Sequence, residues 1–397
     1  AAISRRRVLL LSATNYSLLI RSPNSLLAHS LSSLSPSSDT NNPNPNPSPN
    51  STSSSSSSRS LTPMESQFQS WTSLLRPGFT PSDLELALRS QSDPDLALDL
   101  FRWSSLTPRF RHTPSTYLAV IDILVRSRRF SAAESLLHDV LSGACPPDLP
   151  LFNFLIKFCS SRRHLFSTAF DVYKKMLTSS SSSSSSNACR PNLQTYTMLL
   201  TMLLRRFGKP PVSYIHLHAV RSLVRQMKAS GTIPDAFVLN LIIKAFSRCL
   251  EMDEAVRVFR EMGLYNCEPN EYTYGYIAKG MCEKGRVKDG MKFFKEMREK
   301  GLVPTSSVYM VVICSLVMER RFEEAMEVLE DMLGNRMKPD LLTYRTLLEG
   351  LCRDGRGEEA FELLEELGRR RKGAMDPRMY SDLLDGLHWL NQPHDHD

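Results

Sequence analysis

The sequence predicts an all-α fold, a right-handed α-solenoid of about seven to eight helix-turn-helix repeats. Three observations carry that expectation. A proline followed by a short polar residue recurs about every 35 residues, at Pro147-Asp148, Pro191-Asn192, Pro234-Asp235, Pro269-Asn270, Pro304-Thr305 and Pro339-Asp340. Four residues into each following unit stands a large residue: Phe152, Tyr196, Leu239, Tyr274, Tyr309 and Tyr344. Between these landmarks apolar residues recur at i, i+3, i+4 and i+7, and no alternating strand pattern competes.

Taken in chain order, residues 1–38 hold four Arg, eleven Ser and no Asp or Glu. That cationic, hydroxylated, acid-poor make-up predicts an organelle transit peptide, with Arg5-Arg6-Arg7 beside the short apolar stretch Val8–Leu11. Residues 39–63 are rich in Asn, Pro and Ser and read as a disordered linker. Within 64–113, Leu84, Leu86 and Leu88, then Leu96 to Trp103, predict a capping pair of helices, the second starting at Asp93-Pro94.

The repeat array spans 114–390, with full units at 114–148, 149–192, 193–235, 236–270, 271–305, 306–340 and 341–376 and a partial one at 377–390. In the first, Tyr117, Val120, Ile121 and Leu124 line one helix, and Phe130, Ala133, Leu136, Leu137 and Val140 line a second. Each unit is thus a helical hairpin that needs neighbours to cover its apolar faces. Small residues at one fixed place, Ala133, Ala255, Gly290, Ala325 and Ala360, predict close approach of the paired helices. The two long units carry their extra residues at Ser179–Ser186, expected after a second helix, and around Gly208–Pro211, between helices. Residues 391–397 form a polar tail.

The net charge of +7 is unevenly spread: +4 over residues 1–63, +8 over 64–235 and −5 over 236–397. A basic N-terminal half attracts a polyanion, or simply presents a solvated surface. The eight Cys include no C-x-x-C pair, and Cys159, Cys282 and Cys352 fall at apolar repeat positions, which predicts reduced, structural thiols. His216 and His218 have no Cys pair to complete a zinc site. No apolar run reaches the roughly 18 residues of a membrane span, so no membrane insertion is expected.

The unit length and landmarks resemble the pentatricopeptide repeat, most clearly in EYTYGYIAKGMCEKGRVKDGMKFFKEMREKGLVPT at Glu271–Thr305 and LLTYRTLLEGLCRDGRGEEAFELLEE at Leu341–Glu366. The resemblance covers roughly 70% of the chain and is to the family's plain class. It implies an organellar protein that binds single-stranded RNA, one base per repeat. The family's reading positions, the fifth and last residues of a unit, fall here on Asn153 with Asn192, Thr197 with Asp235, and Asn240 with Asn270. By the family code these imply pyrimidine, guanine and pyrimidine, and Met310 with Asp340 a weak uracil preference. Leu118, Gly275 and Arg345 depart from the pattern, and Gly275 offers no side chain. The family's second position wedges between bases, which assigns base stacking to Phe237 and Tyr272. Arg126, Arg162, Arg205 and Arg248, near the ends of first helices, are candidate phosphate contacts.

No P-loop, dinucleotide fingerprint or nucleophile elbow occurs, nor the H-x-E with C-x-x-C of a zinc deaminase, so no enzyme activity and no cofactor are expected. The expected role is transcript splicing, processing or stability in mitochondria, with chloroplasts the alternative. Three read bases recur by chance about once in 64 positions, and a mismatch costs about 1–3 kcal/mol, so protein partners are expected to add selectivity. The rival reading is a scaffold, such as an organellar ribosome component.

Overall fold

A computed structural model describes residues 63–75, 78–182, 189–207, 212–369 and 376–390. The expected transit peptide, nearly all of the linker, the Gly208–Pro211 insertion and the polar tail lie outside the described residues. Those described belong to one unit, Leu61–Asp397.

Eighteen α-helices occur among the described residues, in tandem pairs. Ahead of the repeats come α1 (Pro63–Leu74), α2 (Pro81–Arg89) and α3 (Pro94–Ser105). Asp93 caps α3 by accepting from the Asp95 amide at 2.9 Å. Helix α1 stands upstream of the expected pair; its Phe68 packs edge-on to Trp103 at 6.4 Å between centroids. Leu86, counted in the apolar pattern of α2, is instead exposed, and Leu84 and Leu88 carry the burial.

The paired helices then follow as α4 and α5 (Pro114–Arg126, Phe130–Ser142), α6 and α7 (Leu149–Ser160, Phe166–Ser182), and α8 and α9 (Leu193–Arg206, Val212–Ala229). Next are α10 and α11 (Ala236–Arg248, Met252–Glu261), the latter ending in a short 3-10 turn at Met262–Tyr265, and α12 and α13 (Glu271–Glu283, Val287–Glu299). The series closes with α14 and α15 (Ser306–Met318, Phe322–Gly334), α16 and α17 (Leu341–Arg353, Gly357–Arg369), and α18 (Pro377–Leu390). Helix α7 continues through Ser182, so the serine run begins inside the helix and not after it. The hydroxyls of Thr178 and Ser179 donate back to the Lys175 carbonyl at 2.9 Å, a bond that lets such residues remain helical.

Each first helix packs on the first helix of the next unit, in a continuous layer from α2 through α4, α6, α8, α10, α12, α14 and α16 to α18. Among the described residues no comparable packing joins second helices of neighbouring units in the array; they lean on their own first helix and, from α9 onward, also on the next one. The first helices are therefore the more continuously packed layer of the stack.

Two backbone devices repeat the hairpin. The first helix closes with a bond from the sixteenth residue's N–H to the eleventh's carbonyl, as in Glu251 to Phe246 (3.0 Å), Arg286 to Met281 (2.9 Å) and Arg356 to Leu351 (2.9 Å). The residue between takes a positive φ, which suits Gly285 and Gly355 but is also forced on Arg128, Leu250 and Arg320. At the start of each first helix, the polar residue after the recurring proline is an N-cap. Asp148, Asn192, Asp235, Asn270 and Asp340 accept from backbone amides two or three residues on, at 2.8–3.2 Å.

The buried core forms two clusters, one from α2 to α12 and one from α12 to α18. Phe152, Tyr196, Tyr274, Tyr309 and Tyr344 are among the largest fully buried side chains. The tyrosine hydroxyls reach the second helix: Tyr274 donates to Glu296 at 2.7 Å and Tyr309 to Asp331 at 2.6 Å. Burial, with the adjacent carboxylate, pushes both phenols well above their usual range. The small-residue expectation has a steric cause at Gly290, where a Cβ would lie 2.5 Å from Cys282 Sγ and 3.0 Å from the Ala278 carbonyl oxygen. Cys159 and Cys282 are buried, and burial raises both thiols to about 12; Cys352 is half-buried.

Candidate nucleic-acid interface

The sequence-derived reading positions lie where one first helix meets the N-terminus of the next. Asn240, on the second turn of α10, donates from Nδ2 to Asn270 Oδ1 at 3.1 Å and accepts at Oδ1 from Thr273 Oγ1 at 2.6 Å. Asn270 meanwhile caps α12, and its own N–H donates to Thr273 Oγ1 at 3.0 Å. The same ladder recurs two units earlier. Asn153 donates to Asn192 Oδ1 at 3.3 Å and accepts from Thr195 Oγ1 at 2.6 Å, while Asn192 caps α8. The fifth and last positions are thus physically one group, joined through the third residue of the following unit.

This arrangement changes how open the asparagines are. Asn153 and Asn240 are each only 7% exposed, because the ladder draws them between the stacked helices. Their side-chain hydrogen bonds all go to other polar side chains. Asn240 Nδ2 carries two hydrogens and spends one on Asn270; the other is left to donate to an acceptor such as a pyrimidine carbonyl. In the Asn153 unit the second hydrogen points to Gln194 Oε1 at 3.4 Å, so a glutamine joins that group.

Thr197 and Asp235 are not brought together by a hydrogen bond. Thr197 Oγ1 donates to the Leu193 carbonyl of its own helix at 2.8 Å, leaving its oxygen as an acceptor. One oxygen of Asp235 caps Val238 at 2.8 Å, and the other is available. Met310 is half-buried, and Asp340 Oδ1 accepts from Thr343 Oγ1 at 2.6 Å. Phe237 and Tyr272 project from the first-helix layer at 57% and 50% exposure, on either side of the Asn240–Asn270 pair in sequence, as stacking faces would.

The four candidate phosphate contacts differ. Arg205 is exposed, and among the described residues no hydrogen bond or ion pair engages its guanidinium. Arg126 pairs with Asp122 at 2.6 Å on the same helix. Arg248 donates to the Leu204 carbonyl at 3.2 Å, tying α10 to α8. Arg162 lies 3.3 Å over the Phe130 ring and serves packing between units. Its neighbour Arg206 is likewise committed, to the Arg163 carbonyl and the Phe166 face. Beyond position 280 the arginines are mostly paired: Arg286 with Asp253 and Asp289, Arg320 with Asp354, Arg356 with Glu323 and Glu359.

Sequence reasoning passed over the third residue of each unit. Thr116, Thr195, Thr273 and Thr343 are four of the few buried polar side chains, and their recurrence at one place was the available signal. Among the described residues no group of three or more His, Cys, Asp or Glu is placed to hold a metal ion, and no helix is long and apolar enough to cross a membrane.

Against known proteins, a family model for the PPR repeat family matches residues 234–283 and 304–353, and one for the PPR repeat matches 115–143, 272–302 and 342–371. The chain carries tandem pentatricopeptide repeats. A mitochondrial pentatricopeptide repeat-containing protein of Arabidopsis thaliana is 50% identical over 266 residues, 65% of this chain and 65% of that protein. A second from the same plant, also named mitochondrial, is 34% identical over 212 residues, 53% of this chain and 47% of the relative. The match therefore spans less than two thirds of the length of either. Among solved structures, that of the pentatricopeptide repeat protein PPR10 with an 18-nt psaJ RNA element covers 82% of this chain and 44% of its own, at 22% identity and a TM-score of 0.48.

Proposed function

We propose that this pentatricopeptide repeat protein binds single-stranded RNA along its first-helix layer and acts without catalysis, in mitochondria, to support the splicing, processing or stability of transcripts. The observation that carries the reading is the Asn–Asn–Thr ladder. It occurs at α6/α8 and again at α10/α12, and in the second it leaves one amide hydrogen, with exposed Phe237 and Tyr272 close in sequence to Asn240 and Asn270. Reading an unstacked base takes a hydrogen-bonding group for its edge and aromatic side chains for its face. The location is supported by the names of the two Arabidopsis relatives and by the Arg-rich, acid-poor residues 1–38. Asn153 with Asn192 and Asn240 with Asn270 would take pyrimidines, Thr197 with Asp235 a guanine, and Met310 with Asp340 a uracil. So few reading groups leave room for protein partners that supply further selectivity.

The test is selection of RNA from a random pool by the full chain, repeated with Asn240→Ala and Thr197→Ala. Each substitution should flatten base preference at one position and leave the others intact. Unchanged preference in both would refute base reading, and co-sedimentation with ribosomes in high salt without RNA selection would support a scaffold instead.

A further inference from the structure

The polarity of the two fifth-position asparagines starts in the backbone. The N–H groups of Tyr272 and Thr273 only donate, so the Asn270 atom they meet at 3.1 and 3.2 Å is its oxygen. The Asn240 atom facing that oxygen at 3.1 Å is then the amide nitrogen. Thr273 Oγ1 accepts from the Asn270 N–H at 3.0 Å, and its single hydrogen goes to Asn240 Oδ1 at 2.6 Å. Both ends of the Asn240 amide are thereby assigned, the oxygen held by Thr273 and one hydrogen left over. The set repeats around Asn153. There the Thr195 N–H meets Asn192 Oδ1 at 3.0 Å, the Asn192 N–H meets Thr195 Oγ1 at 3.2 Å, and Thr195 Oγ1 lies 2.6 Å from Asn153 Oδ1. The remaining hydrogen of Asn153 already meets a carbonyl oxygen, Gln194 Oε1, at 3.4 Å. The third residue of a unit changes along the chain, and it changes with the fifth residue of the unit before it. After Asn153 and Asn240 it is Thr195 and Thr273, both fully buried. After Thr197 it is Val238, after Gly275 it is Val308, and after Leu118 it is Leu151. Thr197 needs no donor from the next unit, because its hydroxyl bonds to the Leu193 carbonyl of its own helix at 2.8 Å. After Met310, whose side chain has no carbonyl, Thr343 turns its hydroxyl to Asp340 Oδ1 at 2.6 Å.

We propose that Thr195 and Thr273 are positioning residues that set the specificity of the unit before their own, by fixing the asparagine amide so that it meets a base as a donor. The proposal rests on the base-reading function above and adds to it a residue that acts through the asparagine. Take the threonine hydroxyl away and Asn240 Oδ1 is left buried without its donor, a cost that rotation of the amide relieves. An amide free to turn offers either its oxygen or its nitrogen, and so pairs with acceptor and donor edges alike. The threonine is what removes the second option. Val238 marks the contrasting case, in which the fifth residue is oriented from within its own helix and the next unit supplies only an apolar contact surface.

The experiment selects RNA from a random pool with the full chain and measures the ratio of pyrimidine to purine binding at each selected position. Thr273→Val should lower that ratio about fivefold at the position set by Asn240, the worth of one hydrogen bond, and leave the position set by Asn153 unchanged. Thr273→Ser, which keeps the hydroxyl, should restore it. A gain of preference guards against a folding defect in the valine variant. Thr197→Asn alone should replace the guanine preference with a weak one for pyrimidine, and Thr197→Asn combined with Val238→Thr should raise it about fivefold. If Thr273→Val does not fold, the comparison of these two variants decides. A pyrimidine ratio unmoved by Thr273→Val, or equal with and without Val238→Thr, overturns this proposal while base reading stands. Absence of any base preference in the unaltered chain overturns it together with the proposed function.

Discussion

Removing the Asn240 amide tests whether the ladder between units is an energetic unit or a coincidence of geometry. In Asn240→Ala two hydrogen bonds disappear, to Asn270 and from Thr273, each worth about 1 kcal/mol net. Thr273 is not orphaned, because Asn270 Oδ1 stands 3.1 Å from its hydroxyl as a second acceptor. The expected cost is therefore about 1–2 kcal/mol, below the sum of two bonds plus a stranded donor. Thr273→Val is harsher. It strips the acceptor from the Asn270 N–H and leaves Asn240 Oδ1 buried without its donor, for about 2–3 kcal/mol. The two substitutions remove one shared bond, so the double variant should cost about 1 kcal/mol less than the sum of the singles. Repeat arrays open in segments, so the suitable readout is native-state hydrogen exchange at the amides of Tyr272 and Thr273, which Asn270 caps. Additivity within about 0.3–0.5 kcal/mol would refute the ladder as a coupled element.

Other outcomes follow from packing and protonation. Gly280→Ala would set a Cβ 2.3 Å from Ser247 Oγ and 2.6 Å from Met252 Sδ, so thermal melting should show a loss of about 1–3 kcal/mol. Gly334→Ala meets nothing within 4 Å at the end of α15 and should gain about 0.5–1 kcal/mol by the same assay. His112 stacks on Phe101 at 3.8 Å, and burial lowers its pKa from 6.5 to about 4. The unfolded chain then binds the proton first, so stability should be full above pH 6.5 and fall as pH drops toward 4, by about 1–2 kcal/mol after allowance for solvent screening. His112→Phe should remove much of the difference between melts at pH 7.5 and pH 5. Cys159 and Cys282, with thiols raised to about 12, should resist alkylation at pH 8 in the folded protein and react on denaturation.

The helical hairpin was legible because its signals are local and redundant. Period, apolar spacing and the small residue facing Ala278 and Cys282 all describe one chemistry at one place in each unit. The recurring Pro-Asp and Pro-Asn pairs were legible as landmarks, yet their physical work as N-caps appeared only with the backbone in view. Leu86 and the serines at the end of α7 show the limits of pattern alone. A leucine at helical spacing is still exposed when no neighbour covers it, and serine stays helical where its hydroxyl bonds back to the preceding turn.

The fifth-position asparagines could be named from sequence, but not that Thr195 and Thr273 would hold them nearly buried, because those bonds join residues 42 and 33 positions apart. The arginines divided in the same way. Arg162 and Arg248 carry the charge expected of phosphate contacts, and the stack turns one onto Phe130 and the other onto the Leu204 carbonyl, while Arg205 remains open. The sequence by itself determined the repeat, its helices and its buried faces, since each depends on residues within a few turns of one another. Only the tertiary structure decided which polar groups meet, because that is set by the rotation of each hairpin against the next, a quantity no single unit encodes.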